Sequence, residues 1–135
     1  MTIYDNYLET RVLSSDSIGL ISVLYGGAVD ALVSAREHLR AGAIRERSRQ
    51  ITKAWGIINQ LRVSLDHEQG GEISLRLAAL YVYMKERLIE ANANQADPPL
   101  AEVHKHLSTL HEAWCAIRPG ATELAALHKP VGTAC

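Results

Sequence analysis

The chain has 135 residues, 47% of them apolar and 21% charged, with a formal net charge of −1. That is enough chain for one domain with a real core, and the even charge balance argues against nucleic acid or an anionic membrane surface as the partner. No basic-apolar leader opens the chain, and no apolar run reaches the roughly 18 residues needed to cross a bilayer, so no membrane insertion is expected and the chain is assigned to the cytoplasm.

Residues 1–15 read as an N-terminal cap segment anchored by Tyr4, Tyr7 and Leu8. The run Ser14-Ser15-Asp16-Ser17 is rich in N-cap residues, and Asp16 is the expected cap. A first helix is predicted over about 17–40, with Leu20, Leu24, Ala28, Ala31, Ala35 and Leu39 on one face. Gly42 supplies its stop. A second helix is predicted over about 43–66. Its stripe is Ile44, Ile51, Ala54, Ile58, Leu61 and Leu65, widened by Trp55 and Ile57. Gly56 lies inside that pattern at a cost of about 1 kcal/mol relative to Ala.

After Gly70-Gly71, a third helix is predicted over about 72–93, with Glu72 at the positive end of its dipole. Its first stripe is Ile73, Leu77, Leu80, Tyr81, Met84, Leu88 and Ala91, and the Tyr81 hydroxyl is expected to reach a polar neighbour. Asn92–Pro99 is read as a break. A fourth helix is predicted over about 100–117, with Leu100, Val103, Leu107, Leu110, Trp114 and Ile117 in heptad-like register. Residues 118–135 read as a flexible C-terminal tail. Four broad stripes joined by short connections predict an all-α fold, an antiparallel four-helix bundle over residues 16–117.

The third helix has more apolar surface than one face of a bundle needs. Counting about 100° per residue from Ile73, Leu75, Val82 and Ile89 fall near 200°, 180° and 160°, opposite the core stripe. Ala78, Ala79 and Ala93 flank them, and Tyr83 is placed at the rim. Three aligned aliphatics form a patch rather than scattered exposure, and full burial of each is worth about 1.5–3 kcal/mol. Three covers are open on these residues alone: the chain's own terminal segments, a second copy in a homodimer, or a foreign chain. A helical adaptor without a transported client fits the same pattern.

Chemistry finds little support. His104, His106 and His111 are badly spaced to share a metal, and only His111 and Cys115 stand at i, i+4. The glycine pairs lack the lysine and spacing of a phosphate loop. The cysteines, Cys115 and Cys135, make neither a disulfide framework nor a CxxC motif. Cys115 is expected as a small buried or half-buried side chain. The runs Arg45-Glu46-Arg47 and Lys85-Glu86-Arg87 read as solvated faces. No catalytic residue, cofactor or metal is assigned, and the chain is not expected to be an enzyme.

The stretch SLDHEQGGEISLRLAALYVYMKERLIEAN, with its SLD-x-E-x-GGEI run, LY-x-Y pair and L-x-x-AN ending, resembles the signature of the flagellar secretion chaperone FliS family. LISVLYGGAVDAL is similar to that family's L-I-x-x-LY-x-GA segment, and Tyr7, Val12 and Glu112-Ala113-Trp114 also match. Gly26 stands where the family usually has an acidic residue, and His67 where it usually has an aromatic one. The resemblance covers residues 5–117. It implies a four-helix bundle that binds the disordered C-terminal segment of flagellin, prevents its premature polymerisation and delivers it to the flagellar export gate. It also implies Tyr7 as a lid on the binding groove. Leu75, Ala78, Ala79, Val82, Tyr83 and Ile89 are the expected partner-binding residues.

Overall fold

The computed structural model describes residues 17–116, with side chains from Leu20 onward. The expected cap segment 1–15, the Asp16 cap, Ile117 and the tail 118–135 lie outside the described residues. Among the described residues four α-helices follow one another: α1 (Ser17–Arg40), α2 (Ile44–Val63), α3 (His67–Asn94) and α4 (Asp97–Cys115). α1 packs along α2 and α4, and α3 packs along the same two, so α1 and α3 face each other across the diagonal of an antiparallel four-helix bundle.

The expected inward residues of α1 from Leu20 to Ala35 are buried. Ile21, Tyr25 and Leu32 join them, because α1 meets two neighbours and buries a wider arc than one stripe. Across the diagonal, the buried hydroxyls of Tyr25 and Tyr81 hydrogen-bond to each other, and the Tyr25 ring tilts against Trp114 at 6.3 Å. Burial pushes the Tyr25 phenol up to about 12, against the opposing pull of its hydrogen bonds to Tyr81 and Trp114. Burial raises Tyr81 as well, with Tyr25 adding to the effect. At the same level α1 and α4 come close: a Cβ on Gly26 would meet Cε1 of His111 at 3.3 Å.

The helix ends obey local chemistry. Gly42 at φ 71° ends α1. The Ala43 N–H donates to the His38 carbonyl and the Gly42 N–H to that of Leu39, the two bonds of a Schellman stop. α3 ends in the same way on Gln95 at φ 52°, with the Ala96 N–H donating to the Ala91 carbonyl. α4 starts at Asp97 rather than Leu100, and Pro98 and Pro99 occupy its first turn instead of a break. Proline is suited to that turn, where no intrahelical N–H bond is lost. Asp97 also pairs with Arg36 of α1 (2.8 and 3.0 Å), and those bonds to the guanidinium hold its carboxyl below the ordinary aspartate value.

α2 stops at Val63, short of the expected Asp66, and Asp66 instead caps the next helix by accepting from the N–H groups of Glu68 (3.1 Å) and Gln69 (3.2 Å). One extra helical turn therefore precedes the expected start at Glu72. Three inward assignments and one outward assignment also need correction. Ile44, the first residue of α2, is 56% exposed at the end of the bundle, and Ile73 is 59% exposed at the edge facing α4. Leu80 is half-buried, since it points toward the α4 edge of α3 rather than its centre. Arg47, expected in solvent, is only 4% exposed: it falls on the inward arc of α2 with Ala54, Ile58 and Leu61, at successive spacings of seven, four and three residues.

Candidate docking face

α3 is aimed by a kink. Gly71 adopts φ 53°, ψ −133° inside the helix, a conformation open to glycine. The buried Ser74 hydroxyl donates to the Gly71 carbonyl (2.7 Å), so the His67 Nδ1 at 2.8 Å from that hydroxyl is the donor to it. This bridge ties the short turn before the kink to the long helix after it. Side chains then strap α3 to both neighbours. The Lys85 amine donates to Asn59 of α2 (2.9 Å) and lies 4.6 Å over the Trp55 ring. Glu102 of α4 accepts from Arg87 (2.7 Å) and from the Tyr83 hydroxyl (2.8 and 3.0 Å). Those hydrogen bonds, Tyr83 first, hold the Glu102 carboxyl low, and the same bond raises the Tyr83 phenol.

Between the straps lies the outward face. Leu75 and Ile89 are each 59% exposed and Val82 is 41% exposed, in one row along the helix. Ala79 is exposed beside them, and Ala78 is half-buried and packs against the core. Tyr83 is exposed on the α4 side, with its hydroxyl committed to Glu102. Tyr7 lies outside the described residues. Burying the exposed parts of the three aliphatics would be worth about 1 kcal/mol each, or about 3 kcal/mol together.

Two grooves flank the row, and neither was assigned from the sequence. Toward α2, a groove of about 360 Å³ is lined by Ile51, Thr52, Trp55, Ile89, Asn92 and Ala93. Toward α4, a groove of about 270 Å³ is lined mainly by Ile73, Leu77, Leu80, Leu110 and Trp114. Their walls are residues at the shoulders of the helical stripes. Trp55 was legible as a widening of the α2 stripe, but the space beside it depends on the helix separation, which periodicity does not carry.

The rest of the surface holds less chemistry. Among the described residues, no three His, Cys, Asp or Glu side chains converge as a metal site. Cys115 is exposed, contrary to expectation, with its Sγ 3.3 Å from the Ser22 hydroxyl; Trp114 takes the inward direction in that last turn. No helix among the described residues is long and apolar enough to cross a membrane.

Comparison with known proteins gives a consistent result. The model of the flagellar protein FliS family matches residues 1–121. The flagellar secretion chaperone FliS of Salmonella typhimurium is 40% identical over 116 residues, which is 85% of this chain and 86% of that one. The chaperone FliSB of Pseudomonas aeruginosa is 37% identical over 79% of this chain and 85% of its own, and FliS of Escherichia coli is 34% identical over 79% of each. With the four-helix bundle and a match across nearly its whole length, the chain belongs to the FliS family of flagellar secretion chaperones.

Proposed function

We propose that this chain is a non-enzymatic export chaperone in the cytoplasm that holds the C-terminal segment of flagellin on the outward face of α3. It keeps that segment from polymerising early and presents it to the flagellar export gate. The observation that carries the reading is the row Leu75, Val82 and Ile89, exposed between two grooves on a helix whose opposite side buries Leu77, Tyr81, Met84 and Leu88. A disordered client loses conformational entropy on binding, so its affinity must come from a long apolar contact, and residues spaced by seven supply one. Ala78 and Ala79 would let a client backbone approach closely, and Tyr83 would border the contact.

The test is titration of the full chain with a synthetic flagellin C-terminal segment, read by calorimetry and by mass in solution. A one-to-one complex is expected. Val82→Asp should weaken it more than tenfold while helicity stays unchanged. A chain that keeps a homodimer mass and ignores the segment would mean that a second copy covers this face instead.

A further inference from the structure

The two grooves differ in charge. α2 carries Arg45, Arg47, Arg49, Lys53 and Arg62 against the single acid Glu46, in a chain whose net charge is −1. No charged side chain lines the groove toward α2, but cations of α2 and α3 stand just beyond its two ends. At one end, Lys85 lies over the Trp55 wall, and desolvation, with the nearby Arg62 charge second, holds its amine below the ordinary lysine value. At the other end, Asn92 forms the wall and accepts from Arg47 (3.3 Å) and Ser48 (2.9 Å), so the Arg47 guanidinium lies one side chain behind the groove. Among the described residues, Arg47, Arg62 and Lys85 make no ion pair, and the buried Arg47 Nε has no hydrogen-bond partner. Burying a cation without an opposing charge costs several kcal/mol. In the groove toward α4 the one cation of the lining, Arg76, is already paired with Glu72 at 3.0 Å.

We propose that the groove between α2 and α3 takes an acidic peptide segment. An apolar residue seats against Ile51, Trp55 and Ile89, and carboxylates on either side of it answer Lys85 and Arg62 at one end and Arg47 at the other. The proposal rests on reading this side of α3 as a docking surface and adds the chemistry of what docks there. A peptide is favoured over an anionic lipid surface because the site is a concave slot, whereas a flat membrane is met by a broad basic face.

The test uses two synthetic helical peptides with the same leucine spacing, one carrying glutamates beside the leucines and the other glutamines. Binding to the full chain is read by fluorescence anisotropy at low and high salt. The glutamate peptide should bind roughly fivefold tighter at low salt. That ratio should fall toward one at high salt and in the Arg62→Gln/Lys85→Gln variant, while the glutamine peptide binds wild type and variant alike. Equal affinities, or no binding of either peptide, would overturn the proposal. So would phosphatidylserine vesicles binding in an Arg62- and Lys85-dependent manner while the peptides do not discriminate. Titration with the flagellin segment runs alongside. If that segment binds and the twin peptides do not differ, only the acidic-groove inference falls; if the twins differ and the flagellin segment does not bind, only the flagellin reading falls.

Discussion

The inner and outer faces of α3 are built from the same kinds of side chain and have different fates. Leu77, Met84 and Leu88 face α2 and α4 and are buried; Leu75, Val82 and Ile89 face away and are exposed. Hydrophobicity alone therefore does not tell core from docking surface in this helix. Angle does, because the inner row has helices to meet and the outer row, within the described residues, has none.

The largest expected effect tests that division directly. Leu88→Asp puts an unpaired carboxylate into the core and should cost several kcal/mol, enough to abolish the cooperative thermal transition in circular dichroism. Leu75→Asp should shift stability by less than about 0.5 kcal/mol. If both variants melted alike, the two faces would not be different in kind.

A second effect sharpens what the inner face is tied to. Tyr25 titrates near 10 when unfolded and near 12 when folded. Stability is intact below pH 10 and falls as pH rises from there, because the unfolded phenol loses its proton first. The loss is about 1.4 kcal/mol per pH unit from Tyr25, or about 2.7 kcal/mol by pH 12, and Tyr81 acts in the same direction. Denaturant midpoints across that range should show the decline, and Tyr25→Phe should make it shallower, leaving the part that the buried Tyr81 contributes.

Two glycines give the smaller effects. Gly71→Ala places a Cβ on φ 53° at the kink that aims both faces, and should destabilise by about 1–3 kcal/mol in urea unfolding. Gly56 is exposed in mid-α2, and a Cβ added there would meet nothing within 4 Å. Gly56→Ala should stabilise by about 1 kcal/mol on the same urea measurement, because the surface there has room that the core lacks.

Much of this was legible in the sequence. The four helices, the Gly42 stop, the buried place of Tyr81 and the outward position of Leu75, Val82 and Ile89 all follow from periodicity and cap chemistry. Ile44 and Ile73 misled because a stripe does not say where the neighbouring helix leaves off. Pro98 and Pro99 misled because proline both breaks a helix and begins one, and Asp97 decides between the two by pairing with Arg36. Arg47 was hidden because charge outweighed its inward angle. The grooves were out of reach, since they are properties of pairs of helices.

The contact between Gly26 and His111 has a consequence for sequence variation. These positions lie far apart in the chain and share one small volume, so a methyl at the first would push the second back by a few tenths of an ångström. They form a coupled locus. A methyl gained at Gly26 should sit more easily with a lighter side chain at position 111, so the two changes should tend to arrive together. The first alone should displace the imidazole of His111, and the second alone should leave a hollow between the helices.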